Sequence, residues 1–330
     1  MTEESNHEDH QPERHRVHPL LEITGRHLHC SRIKALVFSF DGRLLASGSD
    51  DTTVRLWDVV TGKHLAVHLQ EKPQWSIDTL AFAPNGCSLA FVTRGQKGPV
   101  RDCTRAFLWD VRGHHLVEIA RKQKLRYDFS PPCFSPCGKV VAFAERSILR
   151  FDAESGELLE PKFDAGICMS LAFSPDGAFL ASDSRCGSIQ IWDAATGNRL
   201  RTLTGHSQWV GCLSFSPDSH TLVSTSDDRT IRIWDAITGE EDQVFDGHGD
   251  TAIYLKFFPT GHRFVTLHYT DTGGVLRMWQ LGLDQEVGQW KPSTGTHLTA
   301  AAISPDGNLL ATGDYHGDMK LWRMKELFGD

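Results

Sequence analysis

A motif of about forty residues recurs seven times along the chain, and this repetition limits the possible folds more than any other feature of the sequence. Each copy contains a short turn, such as SPDG or APNG, followed further on by an aromatic residue that usually precedes an aspartate. Successive aromatic residues are separated by 41 to 52 residues. These aromatic residues are Trp57, Trp109, Phe151, Trp192, Trp234, Trp279 and Trp322.

The fifth copy indicates how one repeat folds. Val210, Cys212 and Phe215 form a strand-like pattern that ends at a Ser-Pro-Asp turn, because proline cannot donate to a β-ladder. The runs TLVSTS and TIRIW are rich in β-branched residues and are joined by residues 227–229, which predicts a hairpin. One small sheet cannot bury both of its faces. We therefore expect the repeats to stack side by side in a ring.

The repeat resembles that of the WD-repeat family, in which Gly-His and Trp-Asp pairs recur every 40 to 45 residues or so. The resemblance covers residues 17–325 or thereabouts and implies an all-β, seven-bladed WD-repeat β-propeller. We expect residues 17–330 to form this single domain and residues 1–16 to form a flexible, acidic, histidine-bearing tail. The family closes its ring without a covalent link. Here, residues 17–25 are predicted to supply the outer strand of the last blade, beside Leu321.

The resemblance also implies a hydrogen-bonded tetrad of His, Ser or Thr, Asp and Trp that supports a blade from within. The first and fifth repeats contain complete sets, and the offset from His to Trp is 28 residues in both. A catalytic Ser-His-Asp triad is the alternative, but the repeat spacing and the absence of a GxSxG motif favour a structural role. The predicted tetrads are His29, Ser47, Asp51 and Trp57, and His206, Ser224, Asp228 and Trp234.

The remaining repeats depart from this set, so complete tetrads are predicted in repeats 1 and 5 alone. The sixth repeat keeps a histidine and the tryptophan, the third lacks the tryptophan, and the fourth and seventh lack the histidine and the turn aspartate. The residues at those positions are His248 and Trp279, Phe151, Asp164 and Cys186, and Thr294 and His316.

Members of the family tend to bind partners on the face that carries two sets of loops. One set precedes each innermost strand, and the other joins the second and third strands of each blade. Trp209 is predicted to be the main anchor there, because tryptophan and arginine are enriched at interface hot spots; the alternative is that it packs against a neighbouring loop. The residues at matching positions are Ser207, Trp209, Asp227, Arg32, Asp50, Gln74, Trp75, Asp128 and His297.

Composition narrows the classes of partner. The net charge is −8, which argues against nucleic-acid binding because that requires a basic face. No stretch approaches eighteen apolar residues and the N-terminus is polar, so neither a membrane span nor a secretory signal is expected. The eight cysteines form no CxxC pair, which favours free thiols in the cytoplasm and no metal site. No cofactor is predicted.

These features favour a non-enzymatic scaffold or adaptor that binds proteins or peptides as a subunit of a complex. One alternative comes from residues 109–112, WDVR, which resemble the element by which some WD-repeat proteins serve as substrate receptors of cullin-type ubiquitin ligases. A propeller enzyme is the other alternative; it would need acids or histidines at the channel, where Asp128 and His297 are the candidates. The insertion at 93–105 is either a partner-binding loop or a decoration of the blade.

Overall fold

The computed structural model describes residues 18–23, 28–69, 75–95, 104–113, 115–122, 130–144, 146–184, 186–270, 273–283, 285–292 and 297–329. This part of the chain contains twenty-eight β-strands and one short helix. The strands form seven four-stranded antiparallel sheets, and each sheet is one blade of a β-propeller. The predicted all-β, seven-bladed architecture is therefore confirmed. The tail predicted at residues 1–16 lies outside the described residues.

Blades 1 to 3 each consist of four consecutive strands. Blade 1 contains β2 (Ile33–Phe38), β3 (Leu44–Ser49), β4 (Thr53–Asp58) and β5 (His64–Leu69). Blade 2 contains β6 (Trp75–Phe82), β7 (Ser88–Gly95), β8 (Thr104–Asp110) and β9 (Leu116–Lys122). Blade 3 contains β10 (Cys133–Phe134), β11 (Val140–Ala144), β12 (Ile148–Asp152) and β13 (Leu158–Phe163).

Blades 4 to 6 repeat this arrangement. Blade 4 contains β14 (Leu171–Phe173), β15 (Phe179–Asp183), β16 (Ile189–Asp193) and β17 (Arg199–Leu203). Blade 5 contains β18 (Val210–Phe215), β19 (Thr221–Ser226), β20 (Thr230–Asp235) and β21 (Glu241–Asp246). Blade 6 contains β22 (Ala252–Phe257), β23 (Arg263–Thr270), β24 (Gly273–Gln280) and β25 (Glu286–Trp290).

Blade 7 combines the two ends of the chain. Its first three strands are β26 (Leu298–Ile303), β27 (Leu309–Asp314) and β28 (Met319–Arg323), and its outer strand is β1 (Leu21–Ile23). Leu21 pairs with Leu321, and Ile23 is buried. The predicted closure of the ring is thus confirmed, and it removes two exposed sheet edges. A short helix, α1 (Met324–Phe328), follows β28.

The hydrophobic core is divided among the interfaces between neighbouring blades. Within the described residues, the buried apolar side chains form seven clusters, each shared by two adjacent blades. Glycines allow close approach at two of these interfaces: a Cβ on Gly48 or Gly313 would lie 2.6 or 2.7 Å from Ile77 or Ile33 of the next blade. The first strands of successive blades contact one another around the whole ring, including the first and the last. They therefore surround a central channel.

The turns between the first and second strands interlock at one end of this channel. Gly177, in the left-handed conformation with φ +76°, lies against Pro136 of the preceding blade. In blade 5 Ser219 replaces the glycine, and its Oγ accepts a hydrogen bond from the backbone N–H of Asp176 in blade 4, at 3.0 Å. A Cβ added to Gly42, Gly138, Gly261 or Gly307 would lie 3.7, 3.5, 3.4 or 3.0 Å from a proline of the preceding blade, respectively Pro305, Pro84, Pro217 and Pro259.

Candidate functional site: a loop rim held by buried tetrads

The predicted tetrad of blade 1 forms a continuous chain of hydrogen bonds. The indole N–H of Trp57 donates to Oγ of Ser47 at 2.9 Å. Nε2 of His29 lies 2.7 Å from the same Oγ, and its Nδ1 lies 2.9 Å from Oδ2 of Asp51. His29 and Ser47 are buried, so this network lies inside the blade.

The charges at each end of the network fix the direction of its hydrogen bonds. Burial lowers the pKa of His29 despite the opposing effect of Asp51, so the imidazole is neutral at pH 7. Burial acts to raise the pKa of Asp51, but hydrogen bonds from His29 and Thr53 outweigh it and lower the pKa to about 2. The neutral ring therefore donates from Nδ1 to the carboxylate and accepts at Nε2 from the serine hydroxyl.

The tetrad of blade 5 has the same geometry. Trp234 donates to Ser224 at 2.8 Å, and the Ser224 Oγ lies 2.8 Å from Nε2 of His206. Nδ1 of His206 lies 2.8 Å from Oδ2 of Asp228. Burial opposes the ionisation of Asp228, but hydrogen bonds from the Thr230 hydroxyl and backbone lower the pKa to about 2.

Each tetrad aspartate also joins the two loops that form the predicted binding face. Asp51 lies in the turn between the second and third strands, and its Oδ2 accepts the backbone N–H of Cys30 at 3.1 Å. Asp228 accepts the backbone N–H of Ser207 in the same way at 3.0 Å. The buried network therefore fixes the position of the loop that precedes each innermost strand. We call the face formed by both sets of loops the rim.

The other tryptophan-bearing blades for which such a bond is described keep the tryptophan and its hydroxyl partner but vary the rest. Trp192 donates to Ser182, Trp322 to Thr312 and Trp279 to Thr266, at 2.8 to 2.9 Å. In blade 4, Cys186 and Asp164 are exposed. Asp183, at the end of the second strand, accepts the backbone N–H groups of Met169 and Ser170 at 2.6 and 2.8 Å. Thr294 of blade 7 lies outside the described residues.

Blade 6 takes its buried histidine from a position other than the one that the repeat pattern marks. His248 is exposed and is not part of the hydrogen-bonded network, although its ring stacks on Trp279. The buried histidine is His268, from β23, whose Nε2 lies 2.7 Å from Oγ1 of Thr266. Burial lowers the pKa of His268 to about 4. The sequence signal that could have identified it is the alternation of Thr266 and His268 on one face of the strand.

Several of the predicted rim residues lie at the surface of the rim. Trp209 is 39% exposed, and Ser207, Asp227 and His297 are exposed as well. Arg32 and Asp50 are half-buried. Lys34 joins Asp50 to Asp78 of blade 2, with Nζ to carboxylate distances of 3.4 and 2.7 Å. Gln74 and Asp128 lie outside the described residues.

The prediction that Trp75 is a rim residue is wrong, because Trp75 belongs to the core rather than to the exposed rim. Its side chain is 3% exposed. The hairpin of β6 and β7 extends as far as the pair Trp75 and Gly95, which places Trp75 within the sheet. The guanidinium of Arg105, from β8, covers the ring at 5.2 Å from its centroid.

Two exposed aromatic residues on the rim were not predicted from the sequence. Tyr269 and Tyr315 are 42% and 55% exposed. Their backbone N–H groups donate to Thr251 and His297, just as that of Asp227 donates to Trp209. They therefore occupy, in blades 6 and 7, the position that Asp50 and Asp227 occupy in blades 1 and 5. Tyr315 directly precedes His316, which stands at the position of the tetrad aspartate. The repeat alignment could therefore have placed Tyr315 at the position of Asp50 and Asp227.

Asp110, in the WDVR segment, makes contacts that the repeat itself explains. Its carboxylate accepts the backbone N–H of Arg112 at 3.0 Å and stabilises the turn after β8. Hydrogen bonds from Gly113 and Arg112 lower its pKa. Asp58, Asp152, Asp193 and Asp235 make the same kind of contact in their own blades. The role of Asp110 is therefore accounted for by turn formation.

Two further findings concern larger features of the described chain. No described helix has the length and apolar character needed to cross a bilayer. Within the same residues, no three His, Cys, Asp or Glu side chains are grouped closely enough to hold a metal ion.

Residues 22–58, 161–193, 197–235 and 286–323 match the model of the family described as "WD domain, G-beta repeat". These four matches, on a seven-bladed ring with Trp-centred networks, show that the chain contains WD repeats in these places and folds as a β-propeller.

Among curated proteins, the chain is 30% identical over 187 residues to WD repeat-containing protein 82 of Drosophila melanogaster, covering 54% of this chain and 55% of that protein. It is 25% identical over 186 residues to Autophagy-related protein 16 of Arabidopsis thaliana, covering 55% and 34%. It is 32% identical over 172 residues to Nuclear distribution protein PAC1 of Arthroderma otae, covering 52% and 31%. The alignments thus span 31% to 55% of the length of these relatives.

Among solved structures, the chain is similar to one in "Crystal Structure of Mitotic Checkpoint Complex". The TM-score is 0.75 at 19% sequence identity, and the match covers 93% of this chain and 95% of that one. The similarity concerns the fold.

Proposed function

We propose that this chain is a protein-interaction scaffold or adaptor that binds a protein or peptide on the rim, as a subunit of a complex in the cytoplasm. The observation that carries the proposal is the row of exposed aromatic side chains on three consecutive blades, Trp209, Tyr269 and Tyr315. Exposed aromatic residues on a rigid surface supply large contact area with little loss of side-chain entropy.

The tetrads support this proposal by holding the loops in place. Because Asp228 joins the loop of Ser207 to the turn of Thr230, the backbone around Trp209 is ordered before any partner arrives. Such preorganisation reduces the entropic cost of binding. Ser47 and Ser224 are buried beneath their tryptophans, so the proposal gives the tetrads no catalytic role.

The relatives and the cysteines give further support. The relatives are named as WD-repeat, autophagy-related and nuclear distribution proteins, and the solved chain comes from a complex. The seven described cysteines are free, which suits a reducing compartment such as the cytoplasm.

The test is affinity capture from the native host, compared by mass spectrometry between the wild type, Trp209→Ala and Val60→Ala. Val60 is a matched control because it is 84% exposed in the turn between β4 and β5, on the opposite face. Losing a central aromatic anchor costs about 2 kcal/mol, or roughly thirtyfold in affinity. We expect Trp209→Ala to lose the main partner with its melting temperature unchanged, and Val60→Ala to retain it. Full retention by Trp209→Ala would refute binding at this rim.

A further inference from the structure

The central channel contains a cavity of about 680 Å³, a size typical of small-molecule sites. Three charged residues are among those that line it: Lys34, Asp78 and Lys256. Near the rim, Lys34 forms ion pairs with Asp78 at 2.7 Å and with Asp50 at 3.4 Å. Among the residues that line the cavity, Lys256 is therefore the cation that forms no ion pair with a described residue.

Lys256 is distinctive among the seven equivalent positions of the ring. It is the residue before the last in its innermost strand, β22, where it pairs with Val265. The other six blades place small or uncharged side chains at this point: Val37, Ala81, Cys133, Ala172, Ser214 and Ala302. A lysine in their midst is not required by the packing of a blade.

The amine of Lys256 has no counter-ion among the described residues. No carboxylate of the described chain lies within 4.0 Å of its Nζ, the distance that defines an ion pair. Its side chain is exposed to the channel. The surrounding protein nevertheless desolvates the amine and lowers the pKa of Lys256. An ammonium in such a place would be stabilised by an anion.

Tyr254, two residues earlier, adds a second donor to the same cavity. Its hydroxyl oxygen accepts the backbone N–H of Ile303 at 3.1 Å. Its own O–H has no acceptor among the described residues, although a phenol can donate one hydrogen bond. The cavity thus offers an ammonium and a hydroxyl donor, both from β22.

The channel opening nearest Lys256 is apolar. Lys256 precedes Phe257 and Phe258, at the end of β22 that lies away from the rim. The residues around this opening, which we call the collar, include Phe40, Phe258, Pro259 and Pro305. Phe40 is 69% exposed and stands where the six other turns have proline. Gly86 in the next blade consequently has no atom within 4 Å of its Cβ position, which leaves the ring of turn contacts open there.

We propose that the channel binds an apolar monocarboxylate, whose carboxylate pairs with Lys256 and accepts a hydrogen bond from Tyr254 while its chain contacts the collar. A single cation without an ion pair suits a monoanion better than a phosphate dianion, which proteins usually bind with several cations or a planar guanidinium. This site lies apart from the rim, so it does not depend on the proposed function.

The probe is octanoate, titrated into the full chain by isothermal calorimetry, with octan-1-ol and octylamine as matched ligands of the same chain length. We expect octanoate to bind at least tenfold more tightly than either of them. Lys256→Met should weaken octanoate at least tenfold and leave octan-1-ol unchanged. Lys63→Met, at an exposed lysine in the turn before β5, is the control and should bind as the wild type does.

Three results would overturn the proposal. They are no heat of octanoate binding up to about 1 mM, where a specific ligand should already be detectable, equal binding of octanoate and octan-1-ol, or equal octanoate affinity in Lys256→Met. Circular dichroism checks that each variant is folded. If Lys256→Met is unfolded, Tyr254→Phe takes its place: it removes the free O–H donor, and unchanged octanoate affinity in that variant would equally contradict the site.

Discussion

Oγ1 of Thr266 lies 2.7 Å from Nε2 of His268, and both side chains project from the same face of β23. Blade 6 therefore builds its buried histidine contact within one strand, whereas blade 1 reaches across 18 residues from His29 to Ser47. Trp279 donates to Thr266 at 2.8 Å, so the tryptophan retains a partner in either design. A blade can thus keep its internal support after the loop histidine has moved to the surface.

Replacing His268 should destabilise the protein far more than replacing His248. His268→Ala removes a buried ring and leaves the Thr266 hydroxyl with one partner fewer. We expect a loss of about 1 to 3 kcal/mol in the free energy of unfolding. His248→Ala affects an exposed side chain and should cost within roughly 0.5 kcal/mol. Urea denaturation of the two variants measures both values; a larger loss in His248→Ala would reverse the assignment.

The aspartates of the two complete tetrads should contribute alike to stability. Asp51→Ala and Asp228→Ala each leave a buried histidine Nδ1–H and a loop backbone N–H without an acceptor. We expect each to lose about 1 to 3 kcal/mol. Cys186→Ala, at the matching position of blade 4, is exposed and should be nearly neutral. Thermal unfolding measures all three, and equal shifts would contradict the tetrad assignment.

Asp183 should make the protein less stable as the pH rises. Burial raises its pKa to about 6, from 3.8, although N–H groups of Ser170 and Met169 oppose this. Below pH 3.8 the carboxyl is protonated in both the folded and the unfolded state. The loss in the free energy of unfolding therefore appears as the pH rises from 3.8 through 6. It reaches about 3 kcal/mol at neutral pH, because one pKa unit corresponds to about 1.4 kcal/mol.

Asp183→Asn tests this dependence, since the amide oxygen can still accept both N–H groups. The difference in melting temperature, variant minus wild type, should be near zero at pH 4 and positive at pH 7.5. His268 acts in the opposite sense. Its pKa of about 4 lies below the ordinary 6.5, so its stabilising effect is lost as the pH falls through that interval. A difference that is constant across the range would show that Asp183 is ionised in the fold at all these values.

The strand that closes the ring should depend on its buried side chain. Ile23→Ala removes apolar volume from the core shared by blades 7 and 1 and should cost about 2 kcal/mol or more. Glu22→Ala is the matched control on the same strand. It removes an exposed contact with Lys320 at 3.2 Å, worth at most about 1 kcal/mol. Chemical denaturation of the two variants measures both losses in the free energy of unfolding. Equally small losses would contradict closure of the ring by β1.

The sequence by itself determined the number of blades, the closing strand and the two complete tetrads. These features depend on spacing: the Trp position recurs with the repeat, and the offset of 28 residues from His29 to Trp57 fixes which side chains meet. Alternation along a strand and the choice of turn residues are local properties, so they can be predicted from neighbouring residues alone.

The tertiary structure decided which residues of each repeat are covered. Trp75 is buried because the hairpin extends to Gly95 and Arg105 covers the ring, and both come from strands later in the chain. Tyr315 lies on the rim because its backbone N–H donates to the carbonyl of His297, the contact that Asp227 makes with Trp209 in blade 5. Lys256 has no counter-ion among the described residues because the one carboxylate that lines the cavity with it, that of Asp78, pairs with Lys34 of another blade. The exposure and the ion pairing of a side chain depend on neighbours that are distant in sequence. They are therefore determined only by the closed ring.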